Sequence, residues 1–279
     1  MYKILEKQEL VPNIHLIKVQ APAVARKAKP GQFVIITVDE KGERIPLTIA
    51  DWDTEHGSIS IVFMEVGTTT QRLALMNEGD SIYSLVGPLG IPTHIEKFGT
   101  VVCVGGCYGI GAMMPIARAM KESGNKIISV IEVRSKYLLY WEEELKKASD
   151  QLLVSIGDGS HAPERWIPDQ VRSIVDRGGS IDLVIAFGCT YMMKLCAETT
   201  KALGIRTIVH LSSIMVDGTG MCGCCRVSVG GETKFACVDG PEFDGHLVDW
   251  DVLLARQRGY QEQEIQALQE WESRQWQKA

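Results

Sequence analysis

The sequence predicts three units in a row: an antiparallel β-barrel, a doubly wound α/β domain with a parallel sheet, and a small cysteine-bearing domain. Three observations carry this. Short β-branched runs, several with period-2 alternation, fill the first hundred residues. From Thr100 the pattern changes to continuous apolar runs alternating with helical ones. After Ser213 comes "MVDGTGMCGCCRVSVGGETKFAC", Met215 to Cys237, which holds half of the eight cysteines. At 279 residues the chain also exceeds the usual single-domain size.

In the first unit, "IHLIKVQA", "QFVIITVD", "IPLTIADW", "SISIVFMEV" and "DSIYSLVG" read as strands. Turn residues such as Pro30-Gly31 and Glu78-Gly79-Asp80 separate them, a spacing that suits a barrel or sandwich. "TVVCVGG" is a buried strand ending in glycine, and "AMMPIARAMKESG" is a helix stopped at Gly124. Then follow strand "KIISVIEV", helix "LLYWEEELKKA", strand "LLVSIG", helix "WIPDQVRSIVDRGG", strand "IDLVIAFG", helix "MMKLCAETTKALG" and strand "RTIVHLS". Apolar strands linked by helices make a parallel, doubly wound sheet. The tail Asp251–Ala279 places Leu253, Leu254, Ile265, Leu268, Trp271 and Trp276 among Gln and Glu, and reads as one or two amphipathic helices. The expected boundaries are 1–97, 98–212, 213–250 and the tail 251–279.

Composition excludes several classes. A net charge of −6 gives no electrostatic footprint for nucleic acid. No apolar run approaches the roughly 20 residues that span a bilayer. "MYKILEKQEL" carries charge where a signal peptide needs an apolar core, so a cytoplasmic protein is expected. There, eight cysteines argue for metal or redox chemistry over disulfides. Cys103 and Cys196 read as small buried hydrophobes; Cys107 and Cys189 flank glycine turns.

Four places could carry chemistry. Gly105, Gly106, Gly109 and Gly111 lie between a buried strand and a helix, where backbone N–H groups and a helix N-terminus can approach a phosphate. The alternative is a turn tightened for packing. Gly188, Cys189 and Thr190 end the fourth strand of the sheet and would face the same crevice. Glu132 and Arg134 end the second strand, where a ribose or its phosphate is read. Glu132 favours NAD, Arg134 argues for NADP, and both also read as surface charge. Arg44 with the turn Gly67–Thr70 could hold a pyrophosphate. In the cysteine segment, Cys222, Cys225 and Cys237 read C-x2-C-x11-C, with Asp217 where a fourth ligand would stand. Iron accepts a carboxylate among thiolates. Zinc would take the same set, with His246 nearby. Cys224 is a further candidate ligand in place of Cys225.

Five segments, "KPGQF", "RIPLT", "GTTT", "GPLG" and "VGGCYGIGAMMP", resemble the ferredoxin–NADP reductase superfamily in motif and order. The cysteine segment is similar to that of the dihydroorotate dehydrogenase electron-transfer subunit group. Within it, Asp217 resembles the one-Asp, three-Cys set of the small subunits of NADH-dependent reduced ferredoxin:NADP oxidoreductases, also known as sulfide dehydrogenase β subunits. The resemblance implies an FAD-binding barrel, an NAD-binding α/β domain and a [2Fe–2S] domain. It implies that Arg44, Gly67, Thr68 and Thr70 hold the FAD phosphates, and that Pro46, Leu47 and Thr48 line the flavin ring, Thr48 at its N5 edge. Leu47 stands where many members have an aromatic residue. It implies NAD(H) on Gly105, Gly106, Gly109 and Gly111, with Cys189 at the nicotinamide; Glu132, Arg134 and Gly188, read from the strand ends, complete the expected cofactor site, and Thr48 and Cys189 are the expected catalytic pair. Asp217, Cys222, Cys225 and Cys237 become the cluster ligands. The implied partner is a large flavoprotein subunit with FAD and [4Fe–4S] clusters, serving ferredoxin and NADP(H), with no nucleic acid and no membrane. A dihydroorotate dehydrogenase electron-transfer subunit and a non-catalytic zinc module are the competing readings.

Overall fold

The computed structural model describes residues 1–157 and 166–276. The N-terminal unit contains β1 (Tyr2–Val11), β2 (Ile14–Gln20), α1 (Pro22–Ala25), β3 (Phe33–Thr37), β4 (Arg44–Asp53), β5 (Ser58–Met64), α2 (Thr68–Leu75), β6 (Ser81–Ile82) and β7 (Ser84–Leu89). Its sheet runs β6-β1-β2-β5-β4-β3-β7, all antiparallel. The two end strands are separated only by Tyr83, so the sheet is a nearly closed barrel. β1 was not expected as a strand. Its outward residues are charged, and only Ile4 and Val11 are buried, so its period-2 signal is weak.

Strand alternation decides which side of β4 does what. Ile45, Leu47 and Ile49 pack with the barrel core of Ile17, Val34, Ile61 and Phe63. Ala50 packs instead with Ile110, Met113 and Met114 of the next domain. Pro46 and Thr48 pair with Ile35 and Phe33, which pack outside the barrel core, and so lie on the outer face. Leu47, expected beside them at the flavin, lies on the opposite face. An aliphatic residue suits that position because it fills the barrel.

The second unit comprises β8 (Thr100–Gly106), α3 (Gly109–Glu122), β9 (Lys126–Val133), α4 (Glu142–Ala148), β10 (Gln151–Ile156), α5 (Ile167–Asp176), β11 (Leu183–Phe187), α6 (Thr190–Ala202) and β12 (Thr207–His210). The five strands are parallel in the order β10-β9-β8-β11-β12. α3 and α4 cover one face through Met113, Ile116, Met120 and Leu145. α5 and α6 cover the other through Ile167, Val171, Met193 and Cys196. The chain reverses direction across the sheet between β8 and β11, and ligands bind at the carboxyl ends of the strands at such a switch point. The helix expected from Leu138 begins only at Glu142. Trp141 has φ +58°, which breaks the helical path ahead of three acidic first-turn residues.

The third unit holds a hairpin of β13 (Arg226–Val229) and β14 (Glu232–Phe235), then β15 (Glu242–Asp244). Gly230 and Gly231 both have positive φ (+62° and +81°), as a two-residue hairpin turn requires. β15 pairs antiparallel with β12 and extends the parallel sheet. The third unit thus shares the edge of that sheet, where Phe243 opposite Val209 buries apolar surface. The tail forms two helices, α7 (Trp250–Gln257), capped by Asp249, and α8 (Gln261–Trp276). The last three residues of the expected tail lie outside the described residues. The Trp271 ring of α8 lies 4.8 Å from the Arg72 guanidinium of α2, against the chain's own barrel. Among the described residues no helix is long and apolar enough to cross a membrane.

Candidate functional site

The barrel contributes an open helix first turn. Thr69 at the first turn of α2 donates its hydroxyl to Glu43 (2.8 Å), which ties the start of β4 to the start of α2. Helix N-terminal amides lack intrahelical partners and attract anions. A Cβ on Gly67 would meet nothing within 4 Å, so the space above this turn is open. Thr68 opens the helix and is half-buried. Thr70 is buried, and its hydroxyl is spent on the turn: it accepts from the Val66 and Gly67 amides (2.9 and 3.1 Å) and donates to the Gly67 carbonyl (3.0 Å). Arg44 reaches across domains. Its Nε donates to the Val216 carbonyl (2.6 Å) and its Nη2 to the Asp217 carbonyl (3.3 Å).

The nucleotide domain contributes the facing wall. Gly105 pairs with Phe187 at the ends of β8 and β11, so Gly106–Cys107 and Gly188–Cys189 emerge side by side. The four glycines of the turn divide. A Cβ on Gly109 would stand 2.5 Å from the Phe187 carbonyl oxygen, and one on Gly111 2.6 Å from Val62 of the barrel. These two permit close helix–strand and interdomain packing. A Cβ on Gly106 meets only Met192 at 3.6 Å, an ordinary contact, so the room at the crevice lies there. Gly188 has φ +144°, a conformation glycine tolerates.

Cys107 and Cys189 are exposed, while Cys103 and Cys196 are buried and no cysteine is in a disulfide. Cys107 has φ +49°, a strained backbone for a side chain at a ligand crevice. Partial burial raises its thiol pKa, and nearby Cys189 and Glu132 add to this. Tyr140 donates to the Cys107 carbonyl (2.8 Å) and Tyr108 to the Gly188 carbonyl (3.2 Å). Neither tyrosine was singled out from sequence. Tyr108 sits inside the glycine motif and was the one available signal. Glu132 Oε2 accepts from the Ile167 amide (2.8 Å) and so caps α5. Burial pushes this carboxyl up, against the lowering effect of that amide, with Asp169 adding to the rise. Arg134 is exposed at the same strand end.

The cysteine loop closes the third side. Asp217 Oδ2 accepts from the Thr219 hydroxyl (2.6 Å), the Thr219 amide (2.9 Å) and the Met221 amide (3.0 Å). The Thr219 hydroxyl, then these amides, hold the carboxyl below its usual range, and Oδ1 is left for another partner. Backbone amides of Cys224, Asp217 and Val216 lower the Cys222 thiol. Cys225 and Cys237 are buried with sulfurs 3.2 Å apart. Burial, then the neighbouring Cys225, pushes Cys237 up to about 12. Two such thiols ionise together only with a cation between them.

Among the described residues no three ligating side chains converge at metal-binding distance. Cys225 with Cys237 forms one pair, and Asp217 with Cys222 a second group. The donor set, soft sulfurs with one carboxylate oxygen and amides aimed at sulfur, fits an iron–sulfur cluster. Cys224 interacts with Cys222, while Cys225 pairs with Cys237. His246, the zinc candidate, is engaged with Thr200 (3.1 Å). α7 braces the loop: Arg256 donates to the Cys224 carbonyl (3.1 Å) and Gln257 to the Ser212 carbonyl (2.5 Å). Both were unmarked in the sequence.

An antiparallel barrel, a doubly wound domain with its switch point at Gly106 and Gly188, and a loop of thiols and one carboxylate define a ferredoxin-reductase-like electron-transfer protein. Residues 212–249 match the iron–sulfur cluster binding domain of dihydroorotate dehydrogenase B. A dihydroorotate dehydrogenase B (NAD(+)) electron transfer subunit homolog of Thermotoga maritima is 47% identical over 94% of this chain and 92% of its own. The chain belongs to this family of electron-transfer subunit homologues. An uncharacterized protein of Clostridium beijerinckii from the adh 3' region is 49% identical over 98% of the chain and 95% of its own. A chain of the NADH-dependent reduced ferredoxin–NADP oxidoreductase structure, solved for insight into flavin-based electron bifurcation, superposes with TM-score 0.92 at 44% identity, covering 97% of this chain and 98% of that one.

Proposed function

We propose that this chain is an electron-transfer flavoprotein subunit that oxidises NADH, reversibly, through FAD and passes single electrons to a [2Fe–2S] cluster. It would work within an electron-bifurcating NADH/ferredoxin:NADP oxidoreductase heterodimer. The observation that carries this is the seam between barrel and cysteine loop. Arg44 holds the Val216 and Asp217 carbonyls, and a Cβ on Gly218 would stand 2.7 Å from Ile35. Ile35 pairs with Pro46 on the neighbouring strand, so the loop lies about one strand spacing, ~5 Å, from the strand assigned to the flavin.

When bound, FAD accepts a hydride and releases single electrons, which the cluster relays. Arg44 with the amides of Thr68–Thr70 would hold the diphosphate. Pro46 and Thr48 would line the ring, with the Thr48 hydroxyl at its N5 edge. Gly106 would leave room for NAD(H), Gly105, Gly109 and Gly111 would seat the helix behind it, and Gly188 would bring Cys189 to the nicotinamide. Asp217, Cys222, Cys225 and Cys237 would ligate iron. The partner would be a large subunit carrying FAD and [4Fe–4S] clusters and serving ferredoxin and NADP(H), and the location cytoplasmic.

A second reading, a dihydroorotate dehydrogenase electron-transfer subunit, is favoured by the match of residues 212–249 and disfavoured by Asp217. Anaerobic pull-down of the tagged chain with flavin and iron analysis decides. Flavin, iron and a large iron–sulfur flavoprotein are expected. A pyrimidine-synthesis flavoprotein as partner supports the second reading, and a chain with neither flavin nor iron overturns both.

Glu132→Gln tests the ribose assignment. Loss of an ionic acceptor for the 2′-hydroxyl is expected to reduce the preference for NADH over NADPH roughly tenfold, read as a ratio of kcat/KM values. A second readout is pH. A raised carboxyl pKa contributes stability at low pH that is lost as pH rises through it, so the glutamine variant should flatten that part of the pH–stability curve. An unchanged cofactor ratio would leave Glu132 as the α5 cap alone.

A further inference from the structure

Arg44 lies at the junction of two sites that sequence places far apart. Its Nε and Nη2 donate to the carbonyls of Val216 and Asp217. The second of these belongs to the peptide that carries the non-cysteine ligand. A guanidinium has five N–H donors in one rigid plane, so donors remain after these two bonds. The Glu43–Thr69 bond ties the chain just before Arg44 to the open first turn of α2. The loop cannot slide to escape this hold: Gly218 (φ +82°) is packed so closely that a Cβ would stand 2.7 Å from Ile35 and 2.9 Å from Leu89. One planar group thus holds the loop that carries Asp217, and it belongs to the residue that the functional reading assigns to the diphosphate.

We propose that Arg44 is a positioning residue that couples occupancy of the diphosphate pocket to the geometry of the Asp217 ligand. A diphosphate that takes the remaining donors fixes the guanidinium plane, and the plane fixes the two carbonyls. The loop in turn orients Arg44 for the diphosphate. Such coupling is reciprocal, so the cluster also raises flavin affinity, typically by about 5–150-fold. The inference rests on the functional reading above.

The test uses the full chain, purified anaerobically, as wild type, Arg44→Ala and Arg44→Lys. The EPR spectrum of the dithionite-reduced cluster is recorded with FAD bound and after flavin depletion, and FAD affinity is measured by titration. In the wild type, flavin depletion is expected to change the g-values, and re-addition of FAD to restore them. Arg44→Lys supplies charge to the phosphate as a point but lacks the planar fork. It should keep most of the FAD affinity, within about tenfold, yet give one cluster spectrum with or without flavin. Arg44→Ala should lose both. Wild-type g-values indifferent to flavin, or Arg44→Lys responding like wild type, would overturn the coupling while the flavin and cluster remain. Wild-type chain without flavin or cluster would overturn the functional reading and the coupling with it.

Discussion

Asp217→Ala is expected to strip most of the cluster from the chain while leaving the flavin in place. Loss of outer partners alone lowers metal affinity about 10–100-fold, and loss of a direct ligand exceeds that. Iron content of the anaerobically purified variant should therefore fall at least roughly tenfold, with near-normal flavin absorbance. Geometry gives the reason. Asp217 Oδ2 is clamped by three donors from Thr219 and Met221, which hold the carboxylate in one orientation with Oδ1 free. Asp217→Cys should retain iron but move the cluster's potential and EPR signature, since ligand type sets both. A full cluster with an unaltered spectrum in Asp217→Ala would put the fourth ligand on Cys224 or on water.

The second large effect is expected from Gly109→Ala. The added methyl would lie 2.5 Å from the Phe187 oxygen, 2.6 Å from its carbonyl carbon and 2.8 Å from the Gly188 nitrogen. All three are backbone atoms and cannot rotate away. Overpacking of this kind costs about 1–3 kcal/mol, which for a domain of this size lowers Tm by roughly 2–10 °C. The displaced strand end carries Gly188 and Cys189, so NADH oxidation should fall as well. Gly106→Ala is the control, because its methyl meets only Met192 at 3.6 Å. It should leave Tm within about 1–2 °C and raise the KM for NADH by narrowing the crevice. Differential scanning calorimetry with steady-state kinetics separates the two. Equal Tm for both variants would mean that α3 does not depend on the close approach at Gly109.

The strands of the parallel sheet were legible because each is a continuous apolar run bounded by turn residues. β1 was hidden by its charged outer face. The start of α4 was missed because Leu138–Trp141 are apolar enough to extend the helical period, while the left-handed Trp141 is a backbone choice no period reports. The candidate ligands from Asp217 to Cys237 and their spacing are legible, since the segment is local in sequence. Leu47 is legible as part of the motif, but its packing against the barrel core is not. Glu132 was legible as a charge at a strand end, but its bond to Ile167 was not.

The sequence by itself determined the order of the three units, their layer types, and the chemistry of the loop that ends the second and begins the third. These follow from periodicity, turn residues and ligand spacing, all of which act within a few residues. Only the tertiary structure decided that Arg44 binds a carbonyl 172 residues away, that Gly109 and Gly111 serve packing, and that β15 and α7 tie the cysteine loop to its neighbours. Such hydrogen bonds and close contacts depend on how separately formed surfaces meet. No local propensity encodes which donor will face which carbonyl once three units are packed together.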